Sequence, residues 1–174
     1  MLSLGSSVTD KPVMSLQTGQ PVGQTTQPII NPNNLKIEGW YAIDRFSKQR
    51  AVVLSQEIRD ILPQGLLVND HESLTDPSEL VRLQDTLKLQ FSLTGKPVYT
   101  TGRKRIGKVE DFSFDKVGFF VQKLYVGQSL IKNFSGGSAT VDRTQIVEIT
   151  DRRIVVKEAT APQKTVVAAP AVAQ

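Results

Sequence analysis

The chain has no cysteine, one histidine and one tryptophan among its 174 residues. Without thiols it forms no disulfide, no thiolate metal site and no cysteine nucleophile. A single histidine, His71, excludes a two-histidine zinc site, and any Ser/His/Asp relay has to use that one residue. No Gly-x-Ser-x-Gly elbow offers it a serine. Long apolar runs are missing too: nothing approaches the roughly 18 residues of a membrane-crossing helix. The opening Met1-Leu2-Ser3-Leu4-Gly5 has neither the basic nor the continuous apolar part of a secretory signal. A cytoplasmic location is expected, and the sequon Asn133-Phe134-Ser135 matters only in a secreted chain.

What is present is an ordinary globular composition, 39% hydrophobic and 22% charged, with a net charge of +4 unevenly placed. Residues 1–71 hold six basic and six acidic side chains, residues 72–90 two and four, and residues 91–158 twelve and seven. The second half is the electropositive one.

The strongest signal is self-similarity. Lys11-Pro12-Val13 recurs 85 residues later as Lys96-Pro97-Val98. Thr18-Gly19, followed by Val22-Gly23, corresponds to Thr101-Gly102, followed by Ile106-Gly107, which moves the spacing to 84. That spacing pairs Leu35 with Phe119, Ile37 with Val121 and Tyr41 with Tyr125; further on, a spacing of 88 pairs Ile58, Ile61, Leu66, Leu67 and Val68 with Ile146, Ile149, Ile154, Val155 and Val156. Order, spacing and apolar pattern together indicate a duplication.

Within each copy the apolar period is 2, as in strands. Leu35, Ile37, Gly39, Tyr41 and Ile43 fall on one face, opposite Lys36, Glu38, Trp40, Ala42 and Asp44. Around Phe119–Val126 both faces are largely apolar, which predicts a more deeply buried strand. Turn residues at Thr18-Gly19, Asn31-Pro32-Asn33-Asn34, Thr101-Gly102 and Ser135-Gly136-Gly137-Ser138 cut each copy into five or six short strands, the pattern of a small barrel. Ser55–Ile61 and Arg143–Ile149 each carry one stretch of helical spacing before the last strand. Between the copies, Asp76-Pro77-Ser78-Glu79 has the form of a capping box. With Leu80, Leu83 and Leu87 behind it, the spacing predicts a linker helix over residues 77–88 whose apolar stripe packs on the barrels. The segment Ala159–Gln174 reads as a flexible tail.

The stretch Gly107-Lys108-Val109-Glu110-Asp111-Phe112-Ser113-Phe114-Asp115, after Thr101-Gly102 and before Gly118-Phe119-Phe120-Val121, resembles the PRC-barrel family. This is the small β-barrel of the photosynthetic reaction-centre H subunit and of the C-terminal half of the ribosome maturation factor. The resemblance covers about 70 residues of the second copy and reaches the first through the repeat. In the first copy Thr26, Gln27 and Asn31 replace the acidic Glu110, Asp111 and Asp115, and Pro28 and Pro32 interrupt the strand, which suggests an edge or a bend. The resemblance implies a fold and a tendency to bind other proteins, and it carries no catalytic residues. The expected fold class is all-β: two tandem small PRC-like β-barrels, residues 2–71 and 91–158, joined by a helical linker over 72–90, with a tail at 159–174.

Candidate chemistry is sparse. Gly102-Arg103-Lys104-Arg105-Ile106-Gly107-Lys108-Val109 has the glycine and lysine spacing of a phosphate-binding loop. It lacks the final Ser or Thr, and it runs into strand-like residues in place of a helix. The favoured reading is a basic hairpin turn. Arg103, Lys104, Arg105 and Lys108, with Lys96 and Lys116, can neutralise phosphates, although no aromatic residue is interleaved to stack a base. His71 sits in the polar run Asn69-Asp70-His71-Glu72 and reads as a surface-loop residue. Glu110 and Asp111 point to opposite faces of a strand and do not form an acid/base pair. Trp40 and Tyr41 read as barrel packing, with Trp40 the more exposed. The expectation is a non-enzymatic protein with no cofactor, metal or small-molecule ligand, whose partner is another protein. RNA or the ribosome, engaged through the basic second barrel, is the alternative; a membrane protein complex comes third and an enzyme last.

Overall fold

A computed structural model describes residues 1–127 and 139–158. The sequon at Asn133, the turn Ser135-Gly136-Gly137-Ser138 and the tail Ala159–Gln174 lie outside the described residues. The chain is mostly strand. In order come β1 (Leu2–Leu4), β2 (Pro12–Ser15), β3 (Pro21–Asn31), β4 (Lys36–Asp44), β5 (Arg50–Leu54), β6 (Ile58–Leu62), β7 (Gly65–Val68) and β8 (Leu74–Thr75). They are followed by β9 (Pro97–Thr100), β10 (Arg105–Asp115), β11 (Val121–Gly127), β12 (Ala139–Asp142), β13 (Ile146–Ile149) and β14 (Ile154–Val156). One sheet runs β6-β7-β2-β3-β4-β5-β8 and the other β13-β14-β9-β10-β11-β12, with β1 added to β10.

The strand registers fall at the spacings visible in the sequence. In the parallel pairs Val13 lies beside Leu66 and Val98 beside Ile154. Gln24 faces Ile43 in the first sheet, and Lys108 faces Gly127 in the second, 84 residues further on in both strands. The expected closed barrels are open sheets in their hydrogen bonding. The opening lies where a single 3-10 turn, Ser55–Glu57 or Arg143–Gln145, bends the chain from β5 into β6 and from β12 into β13. These corner strands do not pair with each other. The two stretches of helical spacing are thus one turn each, followed directly by a strand.

Residues 77–88 do not form one helix. Pro77–Glu79 and Val81–Leu83 are separate 3-10 turns, and only Gln84–Leu89 is α-helical, here α1. The break is at Leu80, with φ −86° and ψ 68°. The Asp76 carboxylate accepts from Ser78 at both N–H and Oγ, while the Gln84 amide donates to the carbonyls of Pro77 and Leu80. Those carbonyls also accept the N–H groups of Leu80 and Leu83 three residues on, so each segment is a 3-10 turn and the amide stands where an α-helical donor four residues on would be. Leu80 and Leu87 still pack on Ile29, Tyr41 and Val52.

One apolar core is built from both halves. It joins Ile30, Leu35, Ile37, Trp40 and Leu66 to Phe112, Phe114, Phe119, Val121 and Leu124. Trp40 is fully buried, which corrects the expectation that it is the exposed member of its pair. The cause is a β-bulge: Ile29 faces Gly39 but Ile30 faces Ile37, so Glu38 is an extra residue. The alternation slips by one there, and Ile37 and Trp40 share the core face while Tyr41 turns to the linker side. Trp40 then meets the rings of Phe114 at 5.6 Å and Phe119 at 6.1 Å. Its indole N–H has no acceptor among the described residues. With the core on one face and the linker leucines on the other, β4 is buried at least as deeply as β11, contrary to expectation.

The halves also meet through backbone. Ile37 N–H donates to Phe119 C=O at 2.7 Å and Val121 N–H to Leu35 C=O at 2.9 Å, around a bridge between Lys36 and Phe120. Exchanging each residue for its counterpart 84 positions away, Ile37 for Val121 and Phe119 for Leu35, turns one bond into the other, so the contact is self-reciprocal, as at a two-fold axis. Leu35 and Phe119 both adopt left-handed backbone, φ 58° and 59°, at a cost of about 1–2 kcal/mol each. The turn before Phe119 is held by the Asp115 carboxylate, which accepts from the N–H groups of Val117, Gly118 and Phe120 and from the Gln122 amide.

Two further features differ from a pair of separate units. Leu2–Leu4, counted above with the first copy, pairs antiparallel with Asp115, Phe114 and Ser113 of β10. Pro28 interrupts β3 without losing a ladder bond, because the N–H at the matching position, Phe112, donates to the Asp111 side chain.

Candidate binding surfaces

The basic hairpin is well formed. Thr100 N–H donates to Lys104 C=O at 2.8 Å and Arg103 N–H to Thr100 C=O at 2.9 Å, closing the turn between β9 and β10. Arg103 takes left-handed backbone, φ 65°, where the first half has Gly19 at φ 68°. Gly102 N–H donates to the Glu158 carboxylate at 2.8 Å. Arg103, Lys104, Arg105 and Lys108 are all exposed, and among the described residues none of them makes an ion pair. The segment leads into β10 and not into a helix, so its glycines cradle no phosphate against a helix terminus.

Lys96 and Lys116 do not join this patch. Lys96 is buried, its Nζ donating to Asp151 C=O at 2.5 Å and lying 4.8 Å from the Phe91 ring centre. Burial pushes its pKa down, with Asp151 opposing the shift. Lys116 Nζ donates to Ile61 C=O of the first half at 2.8 Å, which fastens the halves together. Both amines are spent on carbonyls.

His71 is held more firmly than a free loop residue. Its Nε2 lies 2.5 Å from Asp44 Oδ2, and its ring meets the edge of Phe46 at 5.0 Å. Burial raises the Asp44 pKa, but hydrogen bonds from Ser47 N–H, His71 and Phe46 N–H outweigh it and hold the carboxyl below its ordinary value. Among the described residues no three His, Asp or Glu side chains are grouped to hold a metal ion. Glu110 is exposed, whereas Asp111 accepts from Ser6 N–H at 3.0 Å and Ser6 Oγ at 2.5 Å. The aspartate anchors the N-terminal segment on the second sheet, a role that its sequence neighbours do not reveal.

A surface missed by the sequence reading is apolar. Met1, Leu2, Leu4 and Val117 are 97%, 47%, 43% and 92% exposed and lie together where β1 runs along β10, with Lys116 N–H directed at Met1 C=O. The Leu-Ser-Leu alternation was legible, but the sheet that it joins was not. Two clefts flank β3. One of about 400 Å³ separates Ser6 and Thr9 from Gln27, Phe91 and Phe112, and one of about 310 Å³ lies between Ile29 and Leu87. Among the described residues no helix is long and apolar enough to cross a membrane. Comparison of the chain with models of known protein families and with curated protein sequences finds no match.

Proposed function

We propose that this chain is a non-enzymatic binding or scaffolding protein of the PRC-barrel type, two copies of one β unit in a single body, whose partner is another protein in the cytoplasm. The observation that carries the reading is the group of exposed apolar residues at the β1–β10 edge, Leu2 and Leu4 on β1 with Met1 and Val117 beside its start. Single exposed apolar residues are ordinary, but Leu2 and Leu4 share one face of β1 by alternation, and Met1 and Val117 are exposed at the end of the same strand pair, so this edge is the best candidate for a contact surface. The common strand order and the registers at spacings of 84, 85 and 88 support the two-copy part. The test is a native pull-down with the wild-type chain and with Leu2→Ser/Leu4→Ser. A protein recovered by the first and lost with the second is expected. Repeated recovery of no protein removes the reading.

A second reading is RNA or ribosome association through Arg103, Lys104, Arg105 and Lys108. It is favoured by four exposed cations on one hairpin, none of which makes an ion pair among the described residues. Reversing three charges, Arg103→Glu/Lys104→Glu/Arg105→Glu, is expected to abolish RNA binding and flatten its salt dependence. RNA affinity insensitive to that change eliminates this alternative.

A further inference from the structure

The match between the halves extends further back than Lys11 and Lys96. Leu2-Ser3-Leu4 precedes Leu87-Lys88-Leu89 by 85 residues, as Ser7-Val8-Thr9 precedes Ser92-Leu93-Thr94. Val8 and Leu93 are both about 1% exposed in the shared core, so the two approach segments enter it alike. The segments before them differ. Leu2–Leu4 is β1, laid antiparallel on β10, whereas Leu87–Leu89 is the end of α1.

An unpaired strand edge results. Along β10, Gly5 N–H donates to Phe112 C=O at 2.8 Å and Lys116 N–H to Met1 C=O at 3.4 Å. The pair between them, Ser3 and Phe114, therefore exchanges both of its backbone bonds. The matching positions in the first half are Pro28, Ile30 and Pro32. β2 pairs with β3 as far as Gln24, and on the same edge Thr25 N–H donates to Lys11 C=O at 2.8 Å. Asn31 C=O accepts Leu35 N–H at 2.8 Å on the β4 side, so alternation turns the N–H and C=O of Ile30 to the opposite edge. Among the described residues no strand or side chain bonds them there. The Ile30 side chain is 2% exposed, and backbone polar groups at such depth are nearly always paired. Facing them is the cleft of about 310 Å³ between β3 and α1, walled by Pro28, Ile29, Thr86, Leu87 and Phe91.

We infer that this edge is a strand-addition site: an extended segment of a partner protein, apolar at alternate positions as in Leu2-Ser3-Leu4, adds antiparallel to β3 at Ile29–Asn31. The inference rests on the protein-binding reading and names the partner's chemistry. In this mode main-chain bonds supply affinity and alternate side chains supply specificity. The occupant is indicated by the matching edge of the second sheet, which already holds such a segment. Three of the four bonds made there are available at β3. The fourth needs an N–H at position 32, which proline lacks, and its counterpart is the longer of the two flanking bonds at 3.4 Å. α1 covers the site lightly: it has six residues, no side-chain cap and no buried residue, and so short a helix has little stability of its own.

The probe is a fluorescent synthetic peptide of residues Leu2–Thr9, titrated into the full chain beside the same peptide methylated on the Ser3 backbone nitrogen. Backbone amides are followed by NMR. Saturable binding is expected, at least tenfold weaker for the methylated peptide, with amide exchange slowed at Ile30. Absence of binding, or binding that methylation leaves unchanged, overturns the inference. Shift changes centred on β1 and Ser113–Asp115 overturn it too, because the peptide has then exchanged with β1. So does an Ile30 amide already slow in the free chain, whether it accompanies lost helical signals at Gln84–Leu89 or appears only as protein concentration rises. Those outcomes assign the edge to the chain's own Leu87–Leu89 or to a second copy. A partner captured by the native chain that the peptide fails to displace overturns this site and leaves the protein-binding reading standing.

Discussion

Replacing Phe114 by alanine tests whether the halves share one core, because the only tryptophan, Trp40, lies in the other half. Phe114 has no exposed surface and meets the rings of Trp40 at 5.6 Å, Phe119 at 6.2 Å and Phe112 at 6.3 Å. Truncating a phenylalanine so placed costs about 3–5 kcal/mol, the lost aromatic contacts included. The whole stability of a domain is about 5–15 kcal/mol. With a urea slope of about 2 kcal/mol per molar, the unfolding midpoint falls by about 1.5–2.5 M. Unfolding is followed by Trp40 fluorescence, which reports the first half, and by far-UV circular dichroism, which reports both. A single core predicts that both midpoints fall together by the same amount. A fluorescence midpoint unmoved while dichroism shows an early partial transition refutes the shared core and makes the halves independent.

Three other outcomes follow from particular contacts. At Gly107, φ is 150° and an added Cβ runs into the Gly127 carbonyl, so Gly107→Ala is expected to destabilise by about 2 kcal/mol or more in the same assay; a neutral result refutes the close approach of β10 to the end of β11. For Asp115, burial raises the pKa, but the hydrogen bonds from Gly118, Phe120, Gln122 and Val117 hold it below the ordinary value of 3.8. A depressed carboxylate contributes stability that is fully present above the unfolded value and is lost as pH falls through the folded one. Asp115→Asn should therefore be less stable than wild type at pH 7, with the gap closing below about pH 4; a gap of constant size down to pH 2 contradicts this. Asp111→Ala removes both acceptors of Ser6. It is expected to speed amide exchange at Ser3 and Gly5 by about tenfold, the loss of about 1–2 kcal/mol of local stability; unchanged exchange would show that β1 holds itself on β10.

The sequence alone determined the strand character of the chain and the spacings of 84, 85 and 88, because a half-buried strand imposes an apolar period of 2 and turns demand particular residues. It also placed Arg103, Lys104, Arg105 and Lys108 together, since four cations within six residues need no fold to be neighbours. Tertiary structure decided everything that depends on which partner an apolar or polar group meets. Periodicity marks Trp40 as one face of a strand but cannot register the extra residue at Glu38, so only the bulge turns the indole into the core between the halves. Lys96 and Lys116 resemble the other basic residues in sequence, yet distant carbonyls of Asp151 and Ile61 claim them. Leucines at 2 and 4 and at 87 and 89 carry the same pattern, and the lengths of chain leading to them do not say that one pair becomes a strand on the opposite sheet while the other ends a helix. Local chemistry sets what each segment is able to form; long-range packing selects where it is satisfied, and among the described residues it leaves Ile30 at the β3 edge without a strand partner there.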